Sequence, residues 1–344
     1  MSAEHHQVMR AIPERHGVTP AIFDGEVRPA AEPVVLRGVA ADWAVVRAGA
    51  QWMDYLASLA NDTPVPVVRA APEAEGRLHY DAGLRGTNFV RGPDTLAGFL
   101  RALAAEAEPV PDTLAVQAIS ADAVLPSFAA ANAMPLVPAD AAPRLWIGTR
   151  ARVAIHNDPM ENVAVVAAGR RRFTLFAPEQ LPNLYMGPFH LTPAGTPVSM
   201  VHLTAPDLAR YPRFADALAS AQEAELGPGD ALYIPYGWYH HVEALEPANL
   251  LVNYWWNAAR TDGGSPWDAL LHGLMTLRTL PADQQRHWRA MFAHYVFAGD
   301  GDPAAHIPPH ARGILAATDP RDVAQMRREL IARLQSPAPG APKR

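Results

Sequence analysis

Residues 152–162 read RVAIHNDPMEN, and residues 227–245 read GPGDALYIPYGWYHHVEAL. In the first stretch one residue separates His156 from Asp158. Side chains alternate across a strand, so positions i and i+2 share a face. His156 and Asp158 are therefore predicted to point inward and Asn157 outward. In the second stretch Gly227, Pro228, Gly229 and Asp230 read as a tight turn, because Gly and Pro supply its special dihedrals. Residues 231–234 read as a short buried strand, residues 235–237 end it, and residues 238–242 begin the next. Turn, strand, turn, strand with a histidine at the entry is how a small barrel delivers a ligand to its mouth. His156, Asp158 and His240 then make up a two-histidine, one-carboxylate set, which holds Fe(II) on one face and leaves positions open for chemistry. A His-x-Asp pair by itself arises by chance, and it is the second stretch that turns it into a candidate metal site. Affinity alone does not select iron, so Zn(II) and Ni(II) are alternatives.

The composition is that of a globular chain. Of 344 residues, 49% are hydrophobic, enough for a real core, and the length allows one large domain or two smaller ones. No run of about 18 apolar residues occurs, and residues 1–17 lack the apolar segment of a secretory signal. There is no cysteine, which excludes disulfide and thiol chemistry and fits a cytoplasmic setting. A net charge of −6 offers no strongly basic surface and disfavours nucleic acid as a partner.

Strands are expected over 33–37, 64–69, 113–119 and 144–149, with further strands carrying His156, Asn162, Arg171 and Phe173. Helices are expected over 51–60, over 94–107 with Asp94 as a cap, and over 213–224. Residues 181–212 are Pro-rich and aperiodic, the mark of a functional insertion, and are expected to cover a substrate groove. After Asn257 the pattern changes to amphipathic helices over 266–279, 283–298 and 320–335. Their apolar positions include Leu270, Leu271, Leu274, Met291, Tyr295, Val296, Met326, Leu330 and Leu334, read as core or dimer contacts. The division expected is 1–258, 259–336 and a disordered Pro-rich tail over 337–344.

RLWIGTRARVAIHND with AGRRRFTLFAP, followed by ELGPGDALYIPYGWYHHVEAL and NLLVNYWWN, resembles the cupin-like, Jumonji C-related 2-oxoglutarate oxygenases, the family of the hypoxia-inducible-factor asparaginyl hydroxylase. The likeness covers about residues 20 to 258. It implies a mainly β fold with α: a double-stranded β-helix, or jelly-roll (cupin) core, with N-terminal α/β elements and C-terminal helices. It also implies Fe(II) on His156, Asp158 and His240, with 2-oxoglutarate and O2 as cosubstrates. His241 is then outward or supporting.

The family commonly places Lys two positions after Gly to bind the distal carboxylate of 2-oxoglutarate. Here residues 169–172 read Gly-Arg-Arg-Arg, and Arg171 takes that place. The chain's only lysine is Lys343, so the exchange follows the chain's general use of Arg, and a guanidinium can bind a carboxylate with two hydrogen bonds. Arg171 shares a strand face with Phe173 and Leu175, whereas Arg170 and Arg172 read as a solvated face. Asn162 and Asn253 match family positions near the cosubstrate carboxylates, or else satisfy backbone groups as buried amides. Val153 stands where asparaginyl hydroxylases have a hydrogen-bonding Thr, and His202 stands where relatives often have Asp.

The function implied is hydroxylation of a protein or peptide side chain, with a small-molecule substrate or a non-catalytic metal-binding cupin as alternatives. Relatives pair through C-terminal helices, which implies a homodimer.

Overall fold

The computed structural model describes residues 9–105, 112–193, 195–298, 301–316 and 319–335, and residues 337–344 lie outside them. Two compact units result, one up to Asn257 and one from Ala258 onward.

Two sheets form the first unit. The six-stranded sheet runs β1 (Arg10–Ala11), β12 (Gln222–Leu226), β11 (Arg171–Phe176), β14 (Tyr239–Ala244), β9 (Arg152–Asn157), β5 (Arg77–Leu78). The nine-stranded sheet runs β2 (Glu14–His16), β3 (Val34–Arg37), β13 (Ala231–Ile234), β10 (Glu161–Ala168), β15 (Asn249–Trp256), β8 (Pro143–Gly148), β7 (Thr113–Ser120), β4 (Pro64–Ala70), β6 (Val90–Thr95). From β9 onward the chain passes back and forth between the sheets, which is the double-stranded β-helix of a cupin-like domain. Gly169 makes one of these crossings, at φ +72°, and a Cβ there would lie 2.4 Å from Asn249 Oδ1. Only glycine fits that turn, and Arg171 follows it by two residues.

Alternation distributes each strand between two cores. Inward residues Phe173, Leu175, Val242, Ala164, Ile234 and Leu251 pack between the sheets. Outward residues of the large sheet, such as Val163, Val165, Leu145, Val252 and Tyr254, join Trp43, Leu56 and Phe99 from the N-terminal helices in the largest core. At about 25 cal/mol per Å2 of apolar area, this two-sided burial is the main force holding the large sheet.

Three expectations are corrected. Asp94 does not cap the helix Leu96–Ala105. It lies within β6, which runs to Thr95, and the Thr95 hydroxyl accepts from Gly98 N at 3.0 Å. The helix expected to reach residue 224 stops at Ser220, because Gln222–Leu226 pairs with β11 on one side and β1 on the other. Ladder bonds to two neighbours outweigh the helix propensity of that Ala- and Glu-rich segment. The Pro-rich insertion does not lie over a groove at the barrel mouth. Its Leu184 and Val201, with Phe214 behind them, seal the outer face of the six-stranded sheet against Ile155, Phe176 and Tyr239.

The second unit carries the helices Pro266–Thr276, Ala282–Tyr295 and Pro320–Gln335. None buries a residue, so their apolar side chains are not core. Leu270, Leu271, Tyr295, Val296, Met326, Leu330 and Leu334 are exposed. No helix among the described residues is long and apolar enough to cross a membrane.

Candidate metal and cosubstrate site

β9 and β14 are neighbours, with His156 directly opposite His240. Their register shifts between His240/His156 and Val242/Val153, so three steps on β9 match two on β14. This bulge turns both Ala154 and Ile155 outward while Val153 and His156 face in. Bulges re-aim side chains in this way. Asp158 follows at the strand end. The ligand atoms of His156, Asp158 and His240 all lie within 4.8 Å of one another, a group that could hold a metal ion. His240 Nε2 stands 3.6 Å from Asp158 Oδ2, and the imidazole centroids are 4.3 Å apart.

Both rings are oriented by the backbone. His156 Nδ1 donates to Ala154 O at 2.8 Å, and His240 Nδ1 faces Trp238 O at 3.4 Å. A carbonyl only accepts, so Nδ1 carries the proton and the Nε2 lone pair is left for a metal. Burial, reinforced by His156, lowers the His240 pKa to about 4 against the pull of Asp158, keeping the ring neutral.

The cavity below these three groups is lined by Asn162, Arg171, Asn253, Trp146 and Trp255, with Val153 and Phe173 among its apolar wall. Arg171 is 7% exposed, and among the described residues no carboxylate pairs with it. Nη2 donates to Trp146 O at 3.1 Å, while Nε is buried without an acceptor. Burial alone lowers its pKa to about 10, so it is still charged at neutral pH. A buried cation without a counter-charge costs several kcal/mol unless an anion joins it. Asn162 Oδ1 and Trp255 Nε1 are also buried without partners. Asn253 Oδ1 accepts from Trp146 Nε1 at 2.9 Å, leaving its N–H2 for another acceptor. The free donors, Arg171 Nε, Trp255 Nε1 and the Asn253 N–H2, fit a dicarboxylate laid between Arg171 and the His–Asp–His group, whereas Asn162 Oδ1, an acceptor, calls for a donor. Val153 lines the same cavity and offers no hydrogen bond.

Alternation places the other arginines as expected. Arg170 pairs with Glu225 and Glu246, and Arg172 with Glu225 and Glu243, on the open face of the sheet. Sequence reasoning missed Trp146 and Trp255. For Trp255 the signal was alternation, since Asn253 lies two positions before it. It also missed Glu161, which Arg28 clasps through Nε at 3.0 Å and Nη2 at 2.8 Å while Tyr233 donates to it at 2.8 Å. These residues line an open groove of about 890 Å3, to which Pro235, Tyr236 and Trp238 of the turn before His240 also contribute.

A family model described as a cupin-like domain matches residues 20–262. The chain belongs to the cupin-like family. Members of this Jumonji C-type group use Fe(II) and 2-oxoglutarate with O2. Lysine-specific demethylase JMJ31 of Arabidopsis thaliana is 28% identical over 281 residues, 71% of this chain and 49% of that protein. tRNA wybutosine-synthesizing protein 5 of Gallus gallus is 26% identical over 265 residues, 71% of this chain and 76% of that protein. HSPB1-associated protein 1 of Homo sapiens is 36% identical over 114 residues, 32% of this chain and 22% of that protein. The chain thus spans about half the length of the plant relative and less than a quarter of the human one.

The cupin-like domain carries several buried neutral histidines, and this makes its metal-free form acid-sensitive. Burial lowers His79 and His240 to about 4 and His241 to about 3, each from 6.5. Between pH 6.5 and 4 the unfolded chain therefore binds more protons than the folded one, and stability falls as pH falls. Above pH 6.5 these groups contribute no slope. Thermal denaturation should show a flat Tm above pH 7 and a drop of about 5–10 °C by pH 4.5. A Tm flat down to pH 4.5 would contradict the burial argument.

Proposed function

We propose that this chain is an Fe(II)- and 2-oxoglutarate-dependent hydroxylase acting on a protein or peptide side chain. The observation that carries the reading is the unpaired guanidinium of Arg171 in one cavity with His156, Asp158 and His240. Iron and 2-oxoglutarate together would supply oxidation of an unactivated C–H bond by O2, with release of succinate and carbon dioxide. The chain's residues do the rest. His156 and His240 would present Nε2 lone pairs from backbone-anchored rings, and Asp158 would add the negative charge. Arg171 would hold the distal carboxylate by charge-assisted hydrogen bonds, and Asn162 and Asn253 would orient the acid. Phe173, Ile234, Val242 and Leu251 keep water from the cavity walls, which strengthens each polar contact inside.

The open groove that shares the turn before His240 supports an extended chain as substrate rather than a closed-in small molecule. Its lining mixes Asp24, Glu32, Glu161 and Glu179 with Arg10 and Arg28, a poor match for a polyanion. The likeness to a tRNA-modifying relative over most of that protein's length supports RNA as the second reading. The exposed apolar faces of the C-terminal helices suit a second copy of this chain, the homodimer that the resemblance implies.

Purified protein given Fe(II), ascorbate, air and a panel of peptides, amino acids and RNA oligomers should convert 2-oxoglutarate to succinate, and most strongly with a peptide. Turnover equal in His156→Ala would overturn the site, and stimulation by RNA alone would overturn the peptide reading.

A further inference from the structure

His202 and His241 were left without a role by the sequence, and the candidate metal site does not use them. Both face a second cavity, on the outer side of the six-stranded sheet. Arg77, Arg152, His202, Thr204 and His241 supply its polar lining, and no carboxylate lines it. Arg77 of β5 lies opposite Arg152 of β9 in parallel register, so the two side chains leave the sheet side by side. The β9 bulge and the alternation of β14 turn His241 to the same side, and the loop through Val201 and Leu203 closes over it.

The charges do not balance within this cluster. Arg152 Nε is bound to Glu243 at 3.0 Å, and Glu243 is shared with Arg172 at 3.4 Å. Arg77 makes no ion pair among the described residues, and its Nη2 is buried without an acceptor. His241 is 6% exposed, and no hydrogen bond to its ring occurs among the described residues. His202 Nδ1 meets only the Thr204 hydroxyl, at 3.2 Å. The other titratable groups felt here are Tyr211, which acts on Arg77, the exposed Glu75, which acts on His202 together with Glu243, His156, which acts on His241, and the buried His79, on which Arg77 and His202 act. Two guanidinium groups and two imidazoles thus converge on one enclosed space, with a single shared carboxylate at its edge. Arg77 is half-buried with its Nη2 buried and unsatisfied, a cost that apolar packing would avoid.

We propose that this cavity is a binding site for a small inorganic anion, held by Arg77 with His202, His241 and the remaining N–H groups of Arg152. Its volume, about 10 Å3, corresponds to one water-sized sphere. That space suits a monatomic anion such as chloride, and the larger phosphate tests whether the cavity widens. Its lining, which shares no residue with the cavity around Arg171 and holds no carboxylate, separates the two sites. The anion would tie the insertion loop at His202 to β5, β9 and β14. Because it would bind only the folded chain, it would stabilise the fold by mass action.

The test is thermal denaturation of the full chain at constant ionic strength, with sodium gluconate replaced stepwise by sodium chloride or, separately, by sodium phosphate. Gluconate is too bulky for the enclosed space. Chloride or phosphate should raise Tm by several degrees and saturate in the millimolar range. Arg77→Gln should abolish the rise, and His202→Gln should weaken it at least several-fold. Arg171→Met should leave it intact, so the result does not depend on the oxygenase reading. Direct placement comes from crystals soaked in bromide, with an anomalous peak expected between Arg77 and His241. No saturable rise with either anion, an equal rise in Arg77→Gln, or loss of the rise in Arg171→Met would each overturn the proposal.

Discussion

Asp158→Ala is expected to abolish Fe(II) binding and 2-oxoglutarate turnover while the fold survives. Asp158 is the only carboxylate in the candidate metal group, so its loss leaves two neutral imidazoles for a dication. Changes to residues that merely support a ligand cost about 10–100-fold in metal affinity, and removing a ligand should cost at least the upper end of that range. The structural cost is small by comparison. Asp158 sits after the end of β9 rather than within the sheet ladder, and its one close partner is His240 Nε2 at 3.6 Å. Circular dichroism and Tm of the metal-free protein should therefore change little. Equilibrium dialysis with Fe(II) or Mn(II) reads the binding. Metal affinity within about threefold of wild type would remove Asp158 from the site.

Arg171→Met is expected to weaken 2-oxoglutarate binding by about 10- to 150-fold without lowering Tm. The range follows from losing a hydrogen bond to a charged group, about 1.5–3 kcal/mol, converted at 1.4 kcal/mol per tenfold. The second half of the expectation is what separates anchoring from structure. A residue whose charge held the fold together would destabilise the protein when removed. Arg171 has no carboxylate partner among the described residues and one unsatisfied N–H. Met fills similar volume without the buried charge, so Tm should stay level or rise. Metal affinity should be unchanged, because Arg171 lies four residues along β11 from Leu175, which is the partner of His240. Unchanged cosubstrate affinity would place the anchor elsewhere, and a large fall in Tm would make Arg171 structural.

The double-stranded β-helix followed from the family resemblance, whereas the turns and short strands over 227–242 were legible because Gly and Pro bound them. Alternation paired His156 with Asp158, whereas Arg171 came from the family's Gly-x-Lys position, with alternation placing it on the face of Phe173 and Leu175. The bulge at Ala154 and Ile155 was not legible, since nothing in the residues themselves marks two successive outward positions. It matters, because without it Val153 and His156 could not both face the same cavity. The segment Gln222–Leu226 was misread because its local preference is helical and only pairing with distant strands overrides it. The insertion around Leu184 and Val201 was misplaced for a similar reason. Its apolar residues have no period, and only the exposed side of β9, β11 and β14 explains them. The clasp of Arg28 on Glu161 joins residues 133 apart in sequence, beyond the reach of any local pattern.

If one cavity joins the metal group to a carboxylate anchor, anaerobic calorimetry of 2-oxoglutarate binding to protein with and without Fe(II) reads that link. Binding should require the metal, be lost in Asp158→Ala, and be weakened but not lost in Arg171→Met. Metal-loaded wild type that binds no 2-oxoglutarate, or binding that is equally tight without metal and in both variants, would contradict it.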